Sequence, residues 1–502
     1  RAVMLNLPNI VTCLVEHGAD VNCKDKDDRT ALHSAVRSNL PGVVTCLVDH
    51  KADVNCKDKH GATALYDAVL YSSGDIARYL IEHGADVNCK DQDDIIVLHR
   101  AAMLNLPNII TYLVELGADV NCKDKDGITA LHNAVRYNSQ DTFTCLIEHG
   151  VDVNCKDKNG KTALHHAVKL NLPKMVTSLI EHGADVNSKD KSNITALQEA
   201  VCYNFPEIVT YLVEHKADVN CEDKCGITAL HDAVLGGSAD MVKYLIEHDA
   251  DVNCKDKDDT TALHDAVHYG ASDVVKCLVD HGADINCKNK DGRSVLHVAV
   301  ESCLPEMVIY LVEHCADVNA KDEEGVSVLH IAALSGSLHI VKYLVEWCDA
   351  ELNCKDNCGK TVLQNAVESG SLSIITCLVE NGAEIYSENN REGHFSDSSK
   401  PTGNDTQVKR IFDENGLGFE ILKMAVQGNS AHFIQFLIEM GTDVRKAEEF
   451  FFERREMGLV EWSIRQNYHE ITSILNHELS KSIKHCKKIQ MLKTMKCSEL
   501  DE

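Results

Sequence analysis

DVNCKDKDGITALHNAV (residues 119–135) returns with few changes at a fixed interval along this 502-residue chain. Its asparagine, Asn121, has counterparts spaced by 33 residues, and the last of them follows after one inserted residue. A fixed period of this length is typical of a solenoid, in which each unit packs against its neighbours. The counterparts are Asn22, Asn55, Asn88, Asn154, Asn187, Asn220, Asn253, Asn286, Asn319 and Asn353.

Each unit carries the signals of two helices. In TALHNAV, Thr129 is placed to cap a short inner helix in which Leu131 and Val135 lie at helical spacing. The outer helix, predicted from Asn108, ends at Gly117. Proline is favoured in the first turn of a helix because it needs no amide partner there. Six of the seven prolines share this position: Pro8, Pro41, Pro107, Pro173, Pro206 and Pro305.

The loop ADVNCKDKDG (residues 118–127) predicts a β-hairpin finger between successive units. A short valine-centred stretch is followed by a turn at Asp126 and Gly127. One unit buries too little apolar surface to fold alone, so stacking must complete the core. We therefore predict an all-α solenoid, in which helix-turn-helix units with hairpin fingers stack into a curved superhelix.

The repeated unit resembles the ankyrin repeat, with its T-P-L-H-x-A-A helix and its G-A-D-V-N hairpin. The resemblance covers residues 1–386, as a partial first unit and about eleven further units. Alanine mostly replaces the proline of the family pattern, and Tyr66, Gln198 and Gln364 replace its histidine. The stretch DDIIVLHRAA (residues 93–102) lacks both the glycine and the threonine, which predicts a softer joint in that unit.

The remaining chain divides into three predicted segments. Residues 387–410 are polar and without periodicity, which predicts a flexible linker or insertion. Residues 411–480 realign with the unit as degenerate repeats that would cap the array. The basic tail, residues 481–502, is interpreted either as a recognition or nuclear-import patch or as a solvated helix end. Because Arg1 stands partway through a unit, we expect a fragment of a longer chain.

The charge and hydropathy limit the classes of partner. A formal net charge of −28 argues against nucleic-acid binding, which draws most of its affinity from a basic face. No apolar run is long enough to cross a membrane. The acidic residues are spread along the chain, which favours a soluble, monomeric array and basic partners.

The chain has twenty-two cysteines, and their positions argue against disulfides. Stacked helices lie roughly 8–10 Å apart, whereas a disulfide needs Cα atoms within about 7 Å. Neighbouring units therefore cannot pair their equivalent cysteines, and we predict reduced thiols in the cytoplasm or nucleus. Nine cysteines occupy one position of successive units: Cys23, Cys56, Cys89, Cys122, Cys155, Cys221, Cys254, Cys287 and Cys354.

The opening stretch has the composition of a metal site but lacks its spacing. If Gly127 were the glycine of a calcium loop, Cys122 and Asn133 would occupy the first and twelfth positions, where acids are needed. For zinc, Cys122 and His132 have no C-x-x-C or H-x-x-x-H partner. Candidate catalytic side chains recur too regularly to form one active centre. We expect no enzyme activity, no metal and no cofactor.

Two histidine series have structural interpretations instead. The TALH histidines, such as His132, are expected to hydrogen-bond one loop to the next, as the ankyrin resemblance also implies. A second series, such as His149, ends the outer helix, where an imidazole donor is favoured by the partial negative charge of the helix end.

The resemblance implies a non-enzymatic scaffold or adaptor that binds other proteins along a concave groove. Four tyrosines, one in every second unit, would lie on that groove at intervals of roughly 20 Å. Exposed tyrosines are common binding anchors, although duplication of a two-unit block would give the same pattern. We expect the groove to bind an extended or helical segment with acidic and apolar groups. The predicted contact residues are Tyr71, Tyr137, Tyr203, Tyr269, Arg37, Arg136, Lys161 and Lys169.

Three hairpin asparagines are candidates for modification. Ankyrin repeats can be hydroxylated on the asparagine that follows D-V, with a leucine eight residues earlier. Asn22, Asn121 and Asn220 fit that pattern. The alternative is a purely structural role, in which the asparagine satisfies the backbone of the hairpin.

Two other functions stay open from the sequence. Some ankyrin proteins are substrate-recognition adaptors of ubiquitin ligases, and IKHCKKIQMLKTMK (residues 483–496) is similar to the beginning of their F-box-like region. The latrotoxins are secreted toxins that also contain long ankyrin arrays. Unpaired cysteines argue against that secreted class.

Overall fold

The computed structural model describes residues 3, 5–384, 417–427, 431–439, 442–453 and 458–481. The chain forms two compact units, Arg1–Lys257 and Asp258–Glu502. The predicted linker and all of the predicted basic tail except Lys481 lie outside the described residues.

The first helix of each repeat is short and begins after the predicted threonine cap or after a serine in its place, except that Ile96 precedes Val97–Met103. In the first unit these helices are Ala31–Arg37, Ala64–Leu70, Val97–Met103, Ala130–Arg136, Ala163–Lys169, Ala196–Cys202 and Ala229–Leu235. In the second unit they are Ala262–His268, Val295–Glu301, Val328–Leu334 and Val362–Ser369.

The second helix of each repeat begins at the predicted proline or at its counterpart. In the first unit these helices are Pro8–Glu16, Pro41–Asp49, Gly74–Glu82, Pro107–Glu115, Gln140–Glu148, Pro173–Glu181, Pro206–Glu214 and Ala239–Glu247. In the second unit they are Ser272–Asp280, Pro305–Glu313, Leu338–Trp347 and Leu372–Glu380.

Within each unit, a first helix packs on its own second helix and on the first helices of adjacent repeats. The apolar positions predicted from TALHNAV supply this contact, since Leu131 and Val135 are fully buried. Ile110 and Leu113 bury the facing stripe of the second helix. This arrangement confirms the predicted all-α stacking of helix pairs.

The loop predicted as a finger contains turns. Gly127 has a φ of 75°, and a Cβ at this residue would lie 2.9 Å from the backbone nitrogen of Lys158 in the next finger. The Lys158 amide donates to the Asp126 carbonyl at 2.8 Å, which joins the two fingers. Among the described residues the only β pairing is isolated, at Lys288–Ser294, Lys321–Ser327 and Lys355–Thr361. The β-hairpin form of the finger therefore stays a prediction.

The repeat predicted to be softer keeps the register of its neighbours. Asp94 adopts the left-handed conformation in place of the missing glycine, with a φ of 60°. Ile96 replaces the capping threonine and is fully buried. The His99 ring still accepts from the Ile96 amide at 3.2 Å, so one of the capping hydrogen bonds remains.

The chain after the array contains further helices. They span Leu417–Gln427, Ala431–Glu439, Val444–Glu453, Leu459–Arg465 and residues 469–481. The first of them packs on the helix Val362–Ser369. Its buried residues include Leu422, Ala425 and Val426, which are positions that the realignment predicts for the core.

Candidate protein-binding surface

One exposed side chain stands at the end of the first helix in five consecutive repeats of the first unit. Each is the C-cap residue, and the residue after it takes a left-handed conformation that turns the chain away. The C-cap side chain is therefore left outside the packed helix pair. We call these residues the Tyr/Leu row. They are Tyr71 (45 % exposed), Leu104 (39 %), Tyr137 (55 %), Leu170 (46 %) and Tyr203 (47 %).

The sequence pattern identified only part of this row. It selected tyrosines in alternate repeats, whereas Leu104 and Leu170 fill the positions between them. The register of the repeat identifies these two leucines, because both lie 33 residues from a predicted tyrosine. Tyr269 has the same C-cap position in the second unit and is 62 % exposed.

Arg37, one of the predicted groove cations, has partners within the chain. Its Nη2 donates to the hydroxyl of Tyr71 at 3.0 Å, and its guanidinium carbon lies 5.5 Å from the centre of that ring. Its Nη1 lies 4.0 Å from the carboxylate of Asp67. Burial raises the pKa of Asp67 to about 6, although the positive charge of Arg37 acts to lower it. Arg37 therefore supports Tyr71 from the preceding repeat.

Lys161 is also engaged within the chain. Its ammonium forms an ion pair with Glu199 on the first helix of the next repeat, and both side chains are largely buried. This lysine therefore joins two adjacent repeats.

Arg136 and Lys169 differ from the other two predicted cations. Each is the last residue of a first helix, is exposed and immediately precedes a member of the row. Within the described ranges, neither side chain forms an ion pair. Arg136 has the same register position as Arg37, and the row residue of its following repeat is Leu170. These two cations are available to a ligand.

An asparagine directly follows four of the row residues in the sequence. Asn138, Asn171 and Asn204 are exposed and have φ values of 52° to 54°. In the part of the chain that the structure describes, their side chains make no hydrogen bond. The side chain of the equivalent Asn105 already forms hydrogen bonds, because it accepts from the Thr142 amide at 3.1 Å and donates to Asp141 at 3.2 Å.

The TALH histidines join adjacent repeats, as the sequence predicts. His132 accepts from the Thr129 amide at 3.2 Å through Nδ1, and its Nε2 donates to the Lys161 carbonyl at 3.3 Å. This pattern requires the neutral ring, and burial lowers the pKa of His132 to about 4. The same two contacts recur at His33, His99, His165, His264, His297 and His330.

The second histidine series closes the second helices. The Nδ1 of His149, at the C-cap, lies 2.8 Å from the Cys145 carbonyl one turn earlier. His17, His50 and His83 make the same contact at 2.7 Å. The backbone amide of each of these histidines donates to the same carbonyl, so the imidazole adds a second contact at this helix end.

The three candidate hydroxylation sites serve as links between repeats. The side-chain oxygens of Asn22, Asn121 and Asn220 each accept from a backbone amide in the next repeat at 2.8 Å. The Asn220 amide group also donates to the Asp249 carbonyl at 2.8 Å. These contacts account for the asparagines structurally, and their hydroxylation stays a prediction.

No disulfide joins the twenty cysteines that lie in the described residues. Burial raises the pKa of the Cys155 and Cys254 thiols to about 11, which keeps them protonated. Over the same part of the chain, no group of three or more His, Cys, Asp or Glu side chains could hold a metal ion. No helix in the described segments is long and apolar enough to span a membrane.

Comparison with known proteins adds a family assignment. A family model described as ankyrin repeats (3 copies) matches residues 1–91, 98–190, 189–256, 250–322 and 296–389, well over half of the chain. A similar solved structure is the crystal structure of the ankyrin repeat domain of Bcl-3, described as a unique member of the IkappaB protein family. It shares 30 % identity, and the alignment covers 43 % of this chain and 97 % of that one with a TM-score of 0.40. No curated protein matches this chain.

Proposed function

The chain belongs to the ankyrin repeat family, and we propose that its first unit binds partner proteins through the Tyr/Leu row. Ankyrin repeats are protein-protein interaction modules. The finer role proposed for this chain is that of a non-enzymatic scaffold or adaptor in a reducing compartment, the cytoplasm or nucleus. The lack of disulfides among the described cysteines supports that choice of compartment.

One observation carries the proposal: five large apolar side chains are exposed in register on five consecutive repeats. Exposed apolar groups are common singly, but a contiguous set is characteristic of an interaction surface. Tyrosine is enriched among residues that dominate binding energy. The row therefore offers several anchors spaced along one surface.

The framework beneath the row supports tight binding. Histidine and asparagine side chains hydrogen-bond each repeat to the next, and Arg37 already holds Tyr71 in place. A surface that is ordered before binding loses less conformational entropy when a partner arrives. Affinity can therefore come from a few anchors on a rigid support.

The charges beside the row favour a partner with acidic groups. Arg136 and Lys169 are exposed on a chain whose formal net charge is −28. Two positive side chains beside the row, on a chain with a negative net charge, favour a partner that carries acidic groups at this surface. The ubiquitin-ligase alternative depends on residues 483–496, which lie outside the described residues, and no contact described above favours it.

A quantitative pull-down from reducing cell lysate tests the proposal. The full chain is compared with a variant carrying alanine at Tyr71, Tyr137 and Tyr203. Leu116→Ala is a matched control, because Leu116 is 47 % exposed at the end of a second helix and lies outside the row. Helical signal and melting must agree among the baits. Loss of specific proteins from the row variant alone is expected, and equal recovery by all baits would contradict the proposal.

A further inference from the structure

The middle of the row is built from a repeated three-residue step. Arg136-Tyr137-Asn138, Lys169-Leu170-Asn171 and Cys202-Tyr203-Asn204 occupy equivalent positions in three consecutive repeats. Each step presents an apolar side chain followed by an amide, and the first two steps add a cation. The surface therefore repeats its chemistry once per repeat along the row.

We propose that these steps bind a segment in the polyproline II conformation, with an apolar side chain at every third position and acidic side chains between them. The proposal rests on the proposed function and specifies the partner of the same surface. It assigns apolar contact to Tyr137, Leu170 and Tyr203, backbone hydrogen bonds to the asparagines, and acid recognition to Arg136 and Lys169.

The spacing of the steps matches one turn of such a segment. Packed helices lie roughly 8–10 Å apart, so successive row residues repeat at about that interval. A polyproline II helix has three residues per turn and rises about 3.1 Å per residue, which brings every third side chain to the same face after about 9 Å. In a β-strand, residues three apart point to opposite faces. The three-residue period therefore favours polyproline II over a strand.

The amides distinguish this ligand from an α-helix. Apolar residues seven positions apart on an α-helix would repeat at about 10.5 Å, which also fits the row. The backbone groups of such a helix are already paired with one another, whereas those of polyproline II are free. Asn138, Asn171 and Asn204 are exposed and, within the described residues, have side-chain donors and acceptors without a partner. They match a ligand whose backbone needs hydrogen bonds.

The ring faces of the tyrosines fit proline side chains as well. Aromatic-lined grooves are a recurring means of recognising proline-rich segments, whose preformed helix loses little entropy on binding. Tyr203 is backed by Phe205, with ring centroids 5.8 Å apart and an angle of 24° between the rings. Tyr71 is backed by Arg37. These supports hold two tyrosine rings of the row in place.

The test uses a fluorescein-labelled peptide of five Glu-Leu-Pro triplets and the full chain, followed by fluorescence polarisation. One control peptide has the same composition in scrambled order, which removes the three-residue period. A second replaces proline by alanine and places leucine at heptad spacing, so that it forms a helix. A third has lysine in place of glutamate.

The proposal expects the triplet peptide to bind and each control peptide to bind at least about tenfold more weakly. Leu170→Ala should reduce binding by about tenfold or more, whereas Leu116→Ala, with the same exposure outside the row, should not change it. A double variant, Arg136→Glu with Lys169→Glu, should no longer bind the glutamate peptide and should bind the lysine peptide instead. Equal binding of the scrambled peptide, tighter binding of the helical one, or no binding of the triplet peptide would overturn it.

Competition separates this inference from the proposed function. The triplet peptide is added in excess to the pull-down from lysate. If it displaces the proteins that depend on the row, both proposals stand. If row-dependent proteins stay bound, the row binds proteins but the polyproline II inference fails. If no captured protein depends on the row, the proposed function fails first.

Discussion

The guanidinium of Arg37 donates to the hydroxyl of Tyr71 across the boundary between two repeats, at a distance of 3.0 Å. The same guanidinium faces the buried carboxylate of Asp67, so one side chain supports an exposed ring and offsets a buried charge. The role of Arg37 as a partner contact stays a prediction, and within the chain its side chain supports Tyr71.

Removing Arg37 should therefore raise the pKa of Asp67 further above its value of about 6, because the positive charge that opposes the effect of burial is lost. An NMR titration of the Asp67 carboxyl in Arg37→Ala measures this shift. Arg136→Ala is the control, since Arg136 has the same register position but, within the described part of the chain, no ion-pair partner. An unchanged Asp67 titration in Arg37→Ala would contradict the proposed charge interaction.

The histidine links can be replaced by glutamine. At the equivalent position, Gln198 accepts from the Thr195 amide at 2.9 Å and donates to the Ile227 carbonyl at 2.8 Å, as histidine does elsewhere. We expect His132→Gln to change the free energy of unfolding by less than about 1 kcal/mol, and His132→Ala to lower it by about 2–3 kcal/mol because two buried groups lose their partner. Urea unfolding of both variants measures the difference. Equal losses would show that the hydrogen bonds are not what the histidine supplies.

Stability should fall in mild acid. The buried histidines have pKa values below 6.5, and that of His132 is about 4, so the folded state binds fewer protons than the unfolded state between those pH values. The free energy of unfolding therefore decreases as the pH falls through this window. Asp67 and Asp232 act in the opposite direction, because their pKa values are raised to about 6 and about 7, but the histidines outnumber them.

Melting temperatures measured at pH 7 and pH 5 test this account. His132→Gln should lose less stability than the parent chain over that range, since glutamine does not titrate. Identical pH dependence of the two proteins would show that His132 does not contribute to the acid sensitivity.

The two glycine positions of a repeat should respond differently to alanine. Gly117 and Gly127 both have positive φ, so each substitution costs about 1–2 kcal/mol in backbone conformation. A Cβ at Gly117 meets nothing within 4 Å, whereas at Gly127 it would lie 2.9 Å from the Lys158 nitrogen. Gly127→Ala should therefore cost at least about 1 kcal/mol more than Gly117→Ala. Hydrogen exchange at the Lys158 amide should also accelerate in Gly127→Ala alone.

The helix pairs were predictable because the sequence of each repeat contains its own helix-capping and core residues. Thr129, Leu131 and Gly117 specify local structure within a few residues, and repetition strengthens the signal. The finger was less predictable, because a short loop with a turn is compatible with a hairpin or with turns alone.

The candidate site was predicted only in part. Selection by residue type included Tyr137 but omitted Leu170, which is also exposed at a C-cap position. The partners of Arg37 and Lys161 within the chain lie 30 to 38 residues away, on an adjacent repeat, and the sequence alone does not identify them. The sequence alone therefore does not distinguish cations that are paired within the chain from cations that are not.

Photo-crosslinking from the row itself shows directly whether partner proteins bind there. Benzoyl-phenylalanine is placed at Leu170 in the full chain and, as a control of equal exposure, at Leu116. After irradiation in reducing lysate, covalent adducts with specific proteins are expected from position 170, and none of those proteins is expected from position 116. The same adducts from both positions, or none from position 170, would contradict binding at the Tyr/Leu row.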